Sequence, residues 1–295
     1  VNYTELKKAI RGYVENDFPT INFTDSSTVW ASDDQVATFV QQAEQRIYNS
    51  VQFPSLRRNV TGSCSTSNKY LQCPADFLAT YSMAIYSYAT PTATGTSGAF
   101  TIVVSDITGI EVDQAVYGTG IGTGAKVVSL LNTTVTLSVA STATISGTVT
   151  FQGKFHYLLN KDVNFIREAY PDPLFTGRPR HYAIFGPNLP ALPNELTFLL
   201  GPTPNLPYTA ELHYYYYPES ITTVSSGQTW LGDNFDSVLL YGAIREGYIF
   251  IKSEPDLMAK VDEYYKEALS LAKRLGDGME RQDAYRSGQV RYPVR

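Results

Sequence analysis

The sequence predicts an α+β fold: a helical bundle or hairpin body, an antiparallel β part and an inserted all-β, sandwich-like domain. Three observations carry this expectation. Apolar residues recur at helical spacing near both ends of the chain, and β-compatible alternation fills the middle. Residues 91–153 hold 14 Thr and 9 Gly but only four charged residues, Asp106, Glu111, Asp113 and Lys126. That composition suits short strands and tight turns and makes a poor surface helix.

The elements follow in order. Residues 2–15 read as a helix with Leu6, Ile10 and Val14 on one side, and Pro19, Asn22 and Thr24–Ser27 form a loop. A second helix spans Asp33–Val51, with Ser32 as its N-cap and Gln35 completing a capping box. Its buried face is Val36, Phe39, Val40, Ala43, Ile47 and Val51, and Pro54 ends it. Strands are expected at Leu56–Val60, Lys69–Cys73 and Tyr81–Tyr88. Within the charge-poor stretch, Phe100–Val104, Ala125–Ser129, Thr133–Val139 and Thr148–Phe151 read as strands, with Asn132 and the Gly118–Gly124 run as turns. The inserted domain therefore covers 91–153, and the body is 1–90 with 154–295. Beyond it come a strand at Lys154–Leu159, a short helix at Asp162–Tyr170 and a Pro171-Asp-Pro turn. Strands at His181–Phe185, Glu195–Leu200 and Thr209–Tyr217 follow, the last burying two rings of its Tyr214–Tyr217 run and exposing two.

The last quarter is the most distinctive. Asp233 or Asn234 can cap a helix whose apolar stripe is Phe235, Val238, Leu239 and Ile244. Gly242 and Gly247 lie inside it, each costing about 1 kcal/mol relative to Ala, which predicts close approach of a second backbone. Pro255 breaks that helix. A second follows, with Leu257, Met258, Val261, Tyr265, Ala268, Leu269, Ala272 and Leu275 lining one face. After Gly276 the stripe stops, and the tail carries four arginines against three acids, with Tyr285 and Tyr292 among them. Arginine and tyrosine are favoured in protein contacts because both cover area and hydrogen-bond in fixed geometry.

This pattern resembles the adaptor proteins of tailed phages, which form the ring beneath the portal and join a DNA-filled head to a tail. The resemblance covers roughly 1–90 and 154–295. It rests on the Tyr3-Thr-Glu-Leu helix, the helix at Asp33–Val51, the helical hairpin from Trp230 and the closing Arg281-Gln-Asp-Ala-Tyr-Arg-Ser-Gly-Gln-Val-Arg-Tyr. The glycine-rich phrase from Tyr117 resembles a small β module found in phage tail and surface proteins. The resemblance implies a virion protein of the tail neck, assembled in the host cytoplasm as a ring, a dodecamer matching the portal. Its implied partners are the portal, the next tail protein (nozzle or tube), tail fibres and further copies of itself. In such adaptors the C-terminal end docks into the portal, which implies that role for Arg281, Tyr285, Arg286, Arg291 and Tyr292. The residues expected to pack the ring are Phe235, Leu239, Gly242 and Gly247. The alternative reading is a receptor- or carbohydrate-binding tail protein working through the inserted β domain, for which Phe100, Tyr117 and Phe151 are the available rings.

Composition sets the remaining bounds. A net charge of −5 argues against a protein that grips the DNA backbone, since phosphate neutralisation supplies that affinity. It suits DNA that passes without being held. No apolar run approaches the ~20 residues of a membrane span, and the first residues lack a signal-peptide core, so no membrane role is expected. Cys64 and Cys73 are nine residues apart across a turn-like run, and free thiols are favoured over a bridge for a particle assembled in a reducing compartment.

Catalytic signals are weak. The Gly118–Gly124 run is not a phosphate loop, because its lysine follows Ala125 and a strand, not a helix, comes next. His156, His181 and His213 sit singly, without metal-ligand spacing, and no Gly-x-Ser-x-Gly elbow occurs. Asp33 and Asp34 are explained by a helix start. Asp236 and Glu246 are ten residues apart on one helix and do not form an acid pair. No catalytic residue, cofactor or metal is expected.

Overall fold

The computed structural model describes residues 1–22, 29–172, 174–187 and 195–281. The fold is mixed α+β, with six helices and several antiparallel sheets among the described residues. The chain divides into two compact units, Val1–Arg57 with Tyr217–Arg295, and Arg58–Tyr216. The strand Thr150–Gln152, near the end of the stretch 91–153, hydrogen-bonds to Ala79–Ala89 outside it.

The first unit is helical. Helix α1 is Tyr3–Val14, α2 Ser32–Ser50, α4 Trp230–Asn234, α5 Asp236–Ile251 and α6 Pro255–Arg281. In α1, Leu6, Ile10 and Val14 are buried as their spacing predicts. The capping box forms here, between Asn2 and Glu5, and not at Ser32 as expected. Ser32 is the first residue of α2, and its hydroxyl donates to the Asp17 carbonyl and accepts from Arg11. Gln35 is buried and donates to the carbonyls of Pro19 and Trp30. The side chains expected to cap α2 therefore pin the preceding loop. Asp33 receives Lys7 at 2.7 Å and Arg11 at 2.6 Å, which hold its carboxyl below the usual range. This exposed pair of bridges adds at most about 1 kcal/mol.

α5 is the hub, packing on α1, α2, α4 and α6. Val238, Leu239, Ala243 and Ile244 are buried with Val36, Val40, Ala43 and Ile47 of α2. Each large apolar side chain fully buried in this way contributes roughly 1.5–3 kcal/mol. Asp233 and Asn234 do not cap α5. Thr229 caps the short α4, accepting from Gly232, and α5 starts after a break at Phe235. Phe235 fills that break by packing on Phe53 and Trp230 at 5.3 and 5.7 Å.

The second unit is mostly β. Its six-stranded sheet runs Arg57–Cys64, Tyr208–Tyr215, Ala79–Ala89, Thr150–Gln152, Ala115–Tyr117, with His156–Tyr157 also on Ala79–Ala89. A four-stranded sheet holds Leu159–Asn160, His181–Phe185, Thr197–Gly201 and Tyr70–Gln72. One core joins them, built on Met83, Ile85, Tyr182, Phe198, Leu212 and Tyr214. Cys64 and Cys73 are free and buried in it, and burial pushes their thiols up to about 11 and about 12, so both are inert at neutral pH. Helix α3, Val163–Ala169, is N-capped by Asp162 and lies against this second sheet. Tyr214 is buried and Tyr216 half-buried on the core, while Tyr217 is exposed.

The Thr-rich stretch forms a five-stranded sheet in the order Ile145–Thr148, Thr92–Gly95, Thr101–Val104, Thr134–Leu137, Val127–Leu131. It has its own core, which includes Ile102, Val135, Leu137, Val116 and Phe151. The glycine run turns there: Gly120 and Gly124 have φ of 84° and 75°, a region open to glycine. A Cβ at Gly122 would lie 2.8 Å from the Ala140 carbonyl. Close packing against residues 139–143 explains Gly120 and Gly122, and the left-handed φ alone explains Gly124.

Candidate functional site

Two surfaces are built by the fold, one in each unit. The first is the α5–α6 hairpin. Lys252 adopts a left-handed φ of 54° and closes α5, and Pro255 opens α6. Arg245 reaches Asp262 at 3.0 Å and Lys266 at 2.6 Å joins the same carboxylate, which is held below its usual range by Lys266 first and Arg245 next. The Arg245–Asp262 pair ties α6 to α5, while Lys266–Asp262 lies within α6.

The residues expected to pack a ring sit as follows. Leu239, Gly242 and Gly247 are buried within the chain itself, and Phe235 is half-buried. The glycines are met by side chains and not by a second backbone. A Cβ on Gly242 would lie 3.1 Å from Ala43 Cβ and 3.3 Å from the Tyr265 ring. On Gly247 it would lie 3.4 Å from the Phe18 ring. Backbone approach occurs at Gly276 of α6 instead, where a Cβ would be 2.9 Å from the Gln52 carbonyl oxygen. Of the five expected docking residues, Arg281 is the last residue of α6, and Tyr285, Arg286, Arg291 and Tyr292 lie outside the described residues. The helix runs past Gly276, where the apolar pattern had suggested an end.

α6 also departs from its expected single buried face. Tyr265, Ala272 and Gly276 are buried, and Met258, Val261, Ala268 and Leu269 are half-buried. Leu257, Tyr264, Leu271 and Leu275 are exposed, Leu271 by 56%. At about 100° per residue these four fall in one stripe beside the buried face. The apolar sector of α6 is wider than α5 and α2 can cover. Tyr264 stacks on Tyr241 of α5 at 5.5 Å, so the stripe extends onto the neighbouring helix. Leu257, Tyr264 and Leu271 stand seven residues apart, a spacing that by itself does not tell this half of the apolar sector from the buried one.

The second surface lies in the β unit. Arg178 grips both oxygens of Glu111 at 2.9 Å and donates to His156 Nε2 at 3.0 Å. Arginine only donates, so this bond fixes His156 as the neutral tautomer protonated on Nδ1. Desolvation and then Arg178 lower the His156 pKa. Asp113 is paired with Lys154 at 2.6 Å and Lys126 at 3.2 Å. Buried Gln114 donates to Ser87 Oγ and the Gly109 carbonyl, both at 2.8 Å. These groups line a polar pocket of about 270 Å³. It opens beside a groove of about 640 Å³ lined by Phe155, His156, Tyr157, Arg178, Arg180 and His181, with Leu159 and Pro179. His181 lies 3.0 Å from the Tyr170 hydroxyl, and desolvation, then Lys161 and Arg180, lower its pKa.

Because both histidines have folded pKa values below 6.5, the stability they contribute is present above about pH 6.5. It is lost as pH falls through the lower folded values. Thermal unfolding of the β unit at pH 7.5 and pH 5 should show this, and His156→Gln should shrink the difference while keeping an acceptor for Arg178. An unchanged difference in the variant would remove His156 from the account.

Among the described residues no group of three or more His, Cys, Asp or Glu is placed to hold a metal ion, and no helix is long and apolar enough to cross a membrane. Of the rings named for the alternative reading, Phe151 is buried, while Phe100 and Tyr117 are exposed. The family model described as SU10 adaptor protein matches residues 1–293. No curated protein matches the chain.

Proposed function

The chain belongs to the SU10 adaptor protein family, and from that premise we propose that it is the ring-forming adaptor that joins the portal of a tailed phage to its tail. The family is one of phage structural proteins of the virion neck, which work by contact with other head and tail proteins. The observation that carries the finer reading is the uncovered stripe Leu257, Tyr264, Leu271 and Leu275 on α6. An amphipathic helix with an apolar sector broader than its own partners fill gains by packing on another helix, at about 25 cal/mol for each Å² covered. A stripe of this kind repeated in every copy favours side-by-side packing, and a dodecamer would match a portal. Leu239, Gly242 and Gly247 serve this contact from beneath, by seating α5 against α2 and α6 so that α6 is held rigidly.

Residues 282–295, which hold Tyr285, Arg286, Arg291 and Tyr292, follow directly on α6 and are proposed to clip to the portal with Arg281. The segment 91–153 is proposed as an inserted β domain that faces tail fibres, while the body meets the nozzle or tube. DNA passes the ring without being held, in keeping with the net charge of −5. Deleting 282–295 tests the clip. The truncated chain should keep its far-ultraviolet spectrum and thermal midpoint and fail to co-sediment with portal rings. Portal binding at wild-type strength would refute the docking assignment.

A further inference from the structure

The groove in the β unit has a composition that ring assembly does not use. Phe155, Tyr157 and Leu159 are all exposed, Tyr157 by 72%; Tyr157 ends the short strand His156–Tyr157 and Leu159 opens the strand Leu159–Asn160. The groove they border contains two arginines and two histidines and no carboxylate. Glu111, which lines the adjoining pocket, is already engaged by Arg178 through both oxygens. Arg180 has its backbone tied to Gly201 at 2.9 Å, and its exposed guanidinium has no ion-pair partner among the described residues.

We propose that this groove binds an acidic oligosaccharide, with a uronate carboxylate on Arg180 and a pyranose face on Tyr157. A guanidinium offers a carboxylate two parallel hydrogen bonds. The axial C–H bonds of a sugar carry slight positive charge and settle on the negative face of a ring. Arg178 occupies His156 Nε2 and leaves its Nδ1–H as a donor, and His181, whose Nδ1 meets the Tyr170 hydroxyl, keeps Nε2 for a sugar hydroxyl. The volume of about 640 Å³ is that of a small-ligand cleft. Single-stranded nucleic acid would also find rings and cations here, but it brings a phosphate with every nucleotide and is held by a continuous basic track. One uncommitted cation suits a ligand with one charge per sugar or per disaccharide.

The test needs only the isolated full chain and is independent of the adaptor reading. Titrations would use tetragalacturonic acid, a hyaluronan tetrasaccharide, neutral maltotetraose and a short oligothymidylate, followed by backbone amide shifts. The expected result is saturable binding of at least one uronate probe, with shifts at Leu159 and His181. Arg180→Gln and Tyr157→Ala, both at exposed positions, should each weaken binding about tenfold or more, as loss of one charged hydrogen bond or one ring platform does, with thermal midpoints unchanged. No binding of either uronate overturns the proposal. So does equal binding of maltotetraose, tighter binding of the oligonucleotide, or variants that bind like the wild type. Assembly on portal rings by the same two variants should be normal, which separates this site from the ring contact.

Discussion

Leu271→Glu abolishes ring formation and leaves the chain folded. Leu271 is 56% exposed in a single copy, so the substitution costs the monomer within about 0.5 kcal/mol. In a ring the same position would lie at a helix–helix contact, where an unpaired buried carboxylate costs several kcal/mol at every interface. Because the penalty recurs at each contact around the ring, a moderate loss per interface suffices to prevent closure. Sedimentation of the variant with portal should show free adaptor beside bare portal, while its helix content and unfolding midpoint match the wild type. Ser270→Glu, which places the same carboxylate at an exposed position about 100° round the helix from Leu271, serves as the control and should still assemble. Equal assembly by Leu271→Glu would mean that the stripe faces solvent in the particle.

Leu239→Ala has the opposite character. Leu239 is 0% exposed, and its removal should cost about 2–5 kcal/mol through lost burial and the cavity left behind. Chemical denaturation of the isolated chain, followed by helix signal, would show a lower midpoint with the slope retained. A ring surface residue would behave differently, leaving the monomer's stability untouched and weakening only assembly. The pair of variants therefore separates packing within one copy from packing between copies.

Much of the fold is legible from periodicity. Leu6, Ile10 and Val14 define α1, and α3 lies within the short helix expected at Asp162–Tyr170. The strands at His181–Phe185 and Tyr208–Tyr215 stand within a residue or two of their expected bounds. The short strands Thr92–Gly95, Ala115–Tyr117 and Ile145–Thr148 are not legible, because three or four residues of Thr, Ala, Gly and Val carry too little alternation. Caps are misread where tertiary contacts compete. Arg11 and Asp17 take the Ser32 hydroxyl, and the break at Phe235 moves the cap to Thr229.

The candidate surfaces are less legible for a physical reason. The apolar positions of α6 form one broad sector in sequence, and nothing local tells which half α5 covers. Tertiary contacts such as Gly242 against Ala43 and Tyr265 and Gly276 against Gln52 orient the hairpin and leave Leu257, Tyr264, Leu271 and Leu275 outside. The groove depends on pairings distant in sequence. Leu159 pairs with His181, and Arg178 crosses to Glu111, so neither arginine of its rim stands out from the Pro-rich connection that carries it.

Assembly on a portal is read from mass measured by light scattering. The protein should be a monomer alone and should add to portal rings until each portal carries a full adaptor ring. A stable trimer whose mass does not change when portal is added would contradict it and point instead to a fibre or receptor-binding protein.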